Sequence, residues 1–219
     1  SGAGGDSLYV EDVFSTYLLQ STSLGVSETV SNGINLLDEG GLVWSKARDG
    51  AGSNILVDTE RGASDCIFSD TNGAEVNINT ITTQFYTDGF ESGSWINSGG
   101  TAQDYASWTF RKAEKFFDVV TYTGNGVAGR TVAHNLGSAP AMIIVKQVNG
   151  TESWNVYHES MGNNALIYLN YTDGKFQPNT NWNNTSPTST EFTVSSSNAV
   201  NGSGNTYVAY LFAHNNSDG

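Results

Sequence analysis

The sequence predicts an all-β chain made of two tandem antiparallel β-sandwiches of jelly-roll-like type. Three observations lead to this prediction: an internal repeat, short runs rich in β-branched and aromatic residues, and frequent turn dipeptides between the runs. Helical periodicity is almost absent. We therefore divide the 219 residues into an N-terminal lead-in (1–11), a first sandwich repeat (12–112) and a second sandwich repeat (113–219).

The repeat is the strongest of these signals, because its landmarks recur in the same order at an offset of about 100 residues. Both copies open on an Asp-Val pair and continue to a Thr-Val pair and an Asn-containing turn. An apolar run follows in each copy and ends at Lys46 or Lys146. Each copy closes on an aromatic run, at 105–110 and at 207–212, so the same fold is expected twice.

Within each copy the local pattern is that of strands separated by tight turns. Runs rich in Val, Ile, Thr and aromatic residues predict strands, and they lie at 82–86, 105–110, 142–146, 165–170 and 206–212. Dipeptides such as Asn32-Gly33 and Asp88-Gly89 supply residues that tolerate positive φ in hairpin turns. Nearly every position of 206–212 is apolar, which predicts a strand that is buried on both faces.

The charge is acidic and unevenly distributed. The formal net charge is −13, with 16 acidic and 6 basic residues in 1–117 and 6 acidic and 3 basic residues in 118–219. This balance excludes a basic nucleic-acid surface, and no apolar run is long enough to insert in a membrane. The single cysteine excludes a disulfide framework. The basic segment 111–115 forms a short connection, so we expect the two sandwiches to lie close together.

The sequence carries no common catalytic signature, and we predict that the chain is not an enzyme. It has no Gly-x-Ser-x-Gly elbow, phosphate-binding loop or His-Glu-x-x-His motif. Neighbouring carboxylates such as Asp58 and Glu60 leave a polysaccharide depolymerase open as the least favoured alternative.

One loop has oxygen ligands suited to calcium. Asp70, Asn72 and Glu75 surround a Gly turn in 69–75, and carboxylate and amide oxygens are the ligands that Ca²⁺ prefers. The loop lacks the full alternating spacing of a calcium motif, and Asx-turn chemistry also explains Asp70 and Asn72. No other cofactor is predicted.

Two tryptophans outside the strand patterns are candidates for stacking against sugars. Trp182 lies between Asn181 and Asn183 in an amide-rich loop, and Trp95 lies in a comparable polar setting. An exposed ring beside amide donors and acceptors suits a glycan. The alternative is that both rings fold back over the edge of the sandwich.

Four stretches carry a resemblance to a known family: 58–63, 116–126, 131–140 and 207–214. They resemble an uncharacterised domain family that recurs in tail-associated and other virion structural proteins of marine bacteriophages, especially cyanophages. The resemblance spans nearly the whole chain and includes both copies. The family has no established catalytic residues to transfer.

The resemblance implies a non-enzymatic virion structural protein in a tail fibre, an appendage or a capsid decoration. Its expected location is the exterior of the particle, in assembly or host attachment. Its expected partners are other virion proteins, further copies of itself (a trimer is plausible) and a glycan of the host surface. A lectin-like receptor-recognition module is the alternative function.

Overall fold

The computed structural model describes residues 8–20, 26–79, 81–93 and 104–214. Short strands bounded by turns dominate the regular structure of the first half, defined as 8–112, as its β-branched and aromatic runs predict. Its elements are, in chain order, α1 (Val10–Val13), β1 (Phe14–Leu19), β2 (Glu28–Ser31), α2 (Leu36–Glu39), β3 (Gly41–Ala47), β4 (Ile55–Asp58), β5 (Asp65–Phe68), β6 (Val76–Asn77), β7 (Thr82–Tyr86), β8 (Gly89–Ser92) and β9 (Tyr105–Arg111).

The second half, defined as 113–214, follows the same plan. Its elements are β10 (Phe117–Thr123), β11 (Arg130–Ala133), β12 (Pro140–Gln147), β13 (Asn155–His158), a 3-10 turn (Glu159–Met161), β14 (Ile167–Tyr168), β15 (Glu191–Val194), α3 (Asn198–Asn201) and β16 (Thr206–Ala213). The strand predicted at 165–170 is shorter than expected. No helix in the described ranges is long and apolar enough to cross a membrane.

The strand order of the two halves is the same, which confirms the all-β tandem-sandwich prediction. Sheet A has the order β1-β9-β3-β4-β5-β6 and sheet C has the order β10-β16-β12-β13-β14. The smaller sheet B has the order β2-β8-β7 and sheet D pairs β11 with β15. Every pairing is antiparallel. β7 has no counterpart in the described second half, and the pairing of β5 with β6 is matched there by a single bridge between Leu166 and Phe176.

Three hydrophobic cores lie between four layers of sheet. One core joins sheets A and B, and includes Val43 and Phe90. A second joins sheets C and D, and includes Tyr207 and Phe192. The third joins sheet A to sheet C across the two halves, with Leu42 among its members. The central strands of sheets A and C are therefore buried on both faces, and the layers follow the order B, A, C, D.

β16 shows how the sequence produces this arrangement. Successive side chains of a strand point to opposite faces of its sheet. Tyr207 and Ala209 accordingly enter the core shared with sheet D, while Val208 and Tyr210 enter the core shared with sheet A. All four are fully buried, which confirms that this apolar run is covered on both sides.

The connection between the halves is a tight turn. The Ala113 amide donates to the Phe117 carbonyl at 2.9 Å, and the Phe117 amide donates to the Ala113 carbonyl at 3.2 Å. Lys115, within this turn, has a positive φ of 60°. The chain thus passes directly from the end of β9 into β10, which places sheet C against sheet A.

Gly89, at the start of β8, packs closely against β2, and its substitution tests this contact. It has φ +153°, and a Cβ built there would lie 1.8 Å from the carbonyl oxygen of Val30. We expect Gly89→Ala to destabilise the chain by about 2–5 kcal/mol, from backbone strain together with overpacking. Gly33 has φ +81° and no neighbour within 4 Å of such a Cβ, so Gly33→Ala is expected to cost only about 1–2 kcal/mol. Urea unfolding measures both, and equal losses would contradict the packing at Gly89.

Candidate functional site

The motif at 58–63 folds into a turn that carries its own charge pair. Asp58 ends β4 and is fully buried, and its Oδ1 accepts the backbone N–H groups of Glu60 and Arg61. This turn brings the guanidinium of Arg61 back beneath Asp58, with Nε at 2.7 Å from Oδ2. The Asp58 carboxylate thus accepts hydrogen bonds from residues no more than three positions away in the sequence.

Arg61 extends this pair into a cluster that spans both halves of the chain. Its side chain is 4% exposed, and Nη1 donates to Glu75 Oε2 at 2.8 Å. Nη2 donates to the hydroxyl of Tyr210 at 3.2 Å. The Tyr210 hydroxyl in turn donates to Asp58 Oδ2 at 2.8 Å. We call Asp58, Arg61, Glu75 and Tyr210 the junction cluster.

Burial and the neighbouring groups together keep Arg61 charged and Tyr210 neutral. Burial disfavours the charged guanidinium, but Tyr210, Asp58 and Glu75 outweigh that cost and raise the pKa of Arg61. Burial also raises the pKa of Tyr210 well above its ordinary value. Its hydroxyl therefore stays protonated near neutral pH and remains a donor to Asp58. Asp58 thus joins the halves through the Tyr210 hydroxyl, while the Glu75 carboxylate pairs with Arg61 within the first half.

Trp154 closes the same junction beside the cluster. The ring is fully buried, and it stacks on Tyr210 with centroids 6.5 Å apart. Its Nε1 lies within hydrogen-bonding distance of two first-half carbonyls, those of Phe68 at 3.1 Å and Thr71 at 2.9 Å. The second half therefore holds the loop that follows β5 by both packing and hydrogen bonds.

The predicted calcium residues lie in this same loop, where two of them have other partners. Asp70 Oδ1 accepts the backbone N–H of Asn54 at 2.9 Å, and Glu75 belongs to the junction cluster. Asn72 is exposed at the tip. No group of three or more His, Cys, Asp and Glu side chains that could hold a metal occurs in the described ranges. Calcium binding at the loop stays a prediction.

Equivalent positions in the second half make the same hydrogen bonds with amides instead of carboxylates. Asn170 Oδ1 accepts the backbone N–H of Trp154 at 3.0 Å, as Asp70 does for Asn54. Asp49 Oδ1 likewise accepts an N–H from Asp104 at 3.1 Å, and Asn149 Oδ1 accepts one from Thr206 at 3.0 Å. Equivalent backbone N–H groups are therefore bound by Asp in the first half and by Asn in the second half.

This equivalence predicts that part of the negative charge can be removed without loss of stability. Because an amide oxygen accepts the same bond, the double variant Asp49→Asn, Asp70→Asn is expected to change the free energy of unfolding by less than about 0.5 kcal/mol. The net charge would change from −13 to −11, since two carboxylates become neutral. Asp49→Ala, which removes the acceptor, should cost about 1 kcal/mol. Urea unfolding at neutral pH compares them, and an equal loss in the amide and alanine variants would contradict the equivalence.

The predicted glycan residues are not exposed together as expected. Trp182 is only 2% exposed, in the core between sheets C and D, and its Nε1 donates to the Ala165 carbonyl at 3.1 Å. Asn181 is also buried and donates to Asn155 Oδ1 at 2.9 Å. Asn183, with φ +50°, is half-buried. Trp95 lies outside the described residues.

The expectation of an exposed ring at Trp182 is therefore wrong, for a physical reason. The ring fills the space between the two sheets, against Tyr157 with centroids 5.8 Å apart. The amides around it satisfy polar groups of the loop itself, as when the Asn181 backbone N–H donates to Asn179 Oδ1 at 2.8 Å. An amide-rich setting thus marks a loop that covers a core, and it does not identify a sugar platform.

An aromatic cleft on the surface was missed by the sequence analysis. It lies at the tip after β14, has a volume of about 440 Å³, and is lined by Tyr168, Tyr171, Asp173, Gly174, Lys175 and Phe176. The rings of Tyr168 and Tyr171 meet edge to face with centroids 5.6 Å apart. The signal in the sequence is an Asp-Gly turn flanked by aromatic residues.

A second groove runs along the junction. It has a volume of about 420 Å³ and lies beside Arg61, Glu75, Tyr122 and Tyr207. The charges of Arg61 and Glu75 neutralise each other in an ion pair. The charged groups of this groove are therefore those of the junction cluster, and the groove is not a separate site.

Comparison with known proteins adds a family and no activity. No curated protein matches the chain, and no solved structure matches it. One family model matches residues 12–217, which include both sandwiches. The chain belongs to that family, described as Domain of unknown function (DUF7483).

Proposed function

We propose that the chain is a non-enzymatic structural module on the exterior of a bacteriophage particle, in a tail fibre, an appendage or a capsid decoration. The observation that carries this proposal is the shared core between sheets A and C, which joins two sandwiches into one four-layer body. Such a body suits a module that must hold its shape while it positions other parts of a particle. The resemblance of four stretches to domains of marine phage virion proteins supplies the setting.

The junction cluster supports the same proposal. Arg61 is held by Asp58, Glu75 and Tyr210 from both halves, so relative motion of the sandwiches would expose a buried charge. That cost disfavours motion between the two halves. A rigid spacer of this kind can carry neighbouring domains of a virion protein and display them toward a host.

The test is to locate the chain on particles of the phage that encodes it. Gold-labelled antibodies raised against the chain are imaged by electron microscopy on purified particles, and the same antibodies absorbed with the pure chain serve as the control. We expect label on the tail or capsid surface of intact particles. Label on host membranes and none on particles would overturn the virion proposal.

A further inference from the structure

The aromatic cleft lies on a hairpin that extends from sheet C. The Leu166 and Phe176 amides and carbonyls exchange hydrogen bonds of 3.1 and 2.8 Å, which close the hairpin. Tyr171 is 50% exposed and Phe176 is 54% exposed. Three aromatic rings therefore lie at one exposed hairpin tip. Exposed apolar patches are rare on soluble proteins and often mark interaction sites.

The equivalent loop of the first half is partly covered, although Thr71 and Val76 are exposed. It follows β5, and the second half holds it through Trp154, whose Nε1 contacts the Phe68 and Thr71 carbonyls, and through Val148, whose carbonyl accepts the Glu75 N–H at 2.7 Å. The hairpin tip of the second half has no such cover, since 171–178 are all exposed. The two loops share a position in the fold and differ in their surroundings.

A second copy of the chain is a poor candidate to cover the open loop in the same way. The covering residue is Trp154, and the residue at its position in the first half is Asn54, whose backbone makes the equivalent bond to Asp70. An amide side chain lacks the ring that seals the covered loop. The open cleft therefore calls for a different occupant.

The open loop has aromatic residues and a reversed charge where the first-half loop has smaller residues and a carboxylate. Alignment of the two hairpins places Tyr171 opposite Thr71 and Phe176 opposite Val76. Lys175 stands opposite Glu75, which reverses the charge. In the part of the chain that the structure describes, neither Lys175 nor Asp173 takes part in an ion pair. The tip thus combines aromatic faces with one unpaired donor and one unpaired acceptor group.

We propose that this cleft binds a pyranose unit of a surface polysaccharide. The apolar face of a sugar ring packs on Tyr171 and Phe176, and its hydroxyls accept a hydrogen bond from Lys175 and donate one to Asp173. A cationic donor and an anionic acceptor that line one cleft suit a ligand that both donates and accepts hydrogen bonds, and a volume of about 440 Å³ is in the range of small-ligand sites. This inference deepens the host-attachment part of the proposed function and rests on it.

The test is binding of the labelled full chain to an array of bacterial polysaccharides and of neutral and acidic pyranose oligosaccharides. We expect binding to at least one pyranose polymer, weakened at least tenfold by Tyr171→Ala and by Phe176→Ala. Thr71→Ala, at the equivalent position of the covered loop, is the matched control and should bind as the unchanged chain does. Circular dichroism confirms that each variant is folded.

Two results would overturn the proposal. One is no binding to any saccharide on the array, and the other is binding that both cleft variants retain. A concentration-dependent increase in solution mass that Tyr171→Ala abolishes would assign the cleft to self-association instead. The outcome is separable from the proposed function, because particle labelling succeeds or fails independently of saccharide binding.

Discussion

Arg61→Met is expected to destabilise the chain by about 3–5 kcal/mol, because it leaves the fully buried carboxylate of Asp58 without its cation. Methionine retains much of the apolar length of the side chain, so the loss reports mainly on the charge. The Tyr210 hydroxyl and the two backbone N–H groups remain as donors to Asp58. The measurement is the free energy of unfolding in urea at neutral pH.

An exposed ion pair provides the matched control. Arg48 and Asp104 lie 3.9 Å apart with side chains 43% and 38% exposed, so Arg48→Met should cost less than about 1 kcal/mol. Adding Asp58→Asn to Arg61→Met should restore part of the lost stability, since a neutral amide does not need the cation. A loss for Arg61→Met no larger than that for Arg48→Met would contradict the role given to the junction cluster.

Trp154→Ala is expected to cost about 3–5 kcal/mol and also to separate the unfolding of the two halves. The ring is fully buried in the core between sheets A and C. Its removal leaves a cavity there and deprives the Phe68 and Thr71 carbonyls of a donor. Thermal unfolding followed by calorimetry measures both the stability and the number of transitions.

Trp182→Ala is the control for this second prediction. Trp182 is equally large and is 2% exposed, but it lies in the core that belongs to the second half alone. A similar loss of stability is expected, with no loss of contact between the halves. If Trp182→Ala splits the unfolding transition and Trp154→Ala does not, the junction is misassigned. Trp154→Phe, which retains most of the ring volume, keeps the prediction testable should the alanine variant fail to fold.

The fold could be predicted largely from local patterns. The strand predicted at 82–86 coincides with β7, and β16 begins at Thr206 as expected. The two-sided burial of β16 also followed from its sequence, because apolar residues at successive positions face both sides of a sheet. The repeat supplied the rest, since the same landmarks produce the same strand order twice.

The junction cluster could not be predicted in this way. Arg61 and Tyr210 are separated by 149 positions and their contact depends on how two sheets pack. Leu42 and Leu56 lie on the face of sheet A that packs against sheet C, and no local pattern names what covers them. Packing between sheets is set by shape over many residues, which no short motif records.

The candidate site was predicted less well than the fold. Trp182 was selected as a tryptophan in a polar loop, but it is a core residue. Tyr171 and Phe176 were not singled out, because no local pattern shows that the two rings are exposed at one cleft. Exposure depends on how far the neighbouring half covers the hairpin, and the first-half loop with the same position is partly covered while this one is open.

The central claim is that a shared core joins the two sandwiches into one body. Differential scanning calorimetry of the intact chain tests it most directly. We predict a single transition whose calorimetric enthalpy equals its van't Hoff enthalpy, as expected for one cooperative unit. Two resolved transitions, or a calorimetric enthalpy well above the van't Hoff value, would contradict it.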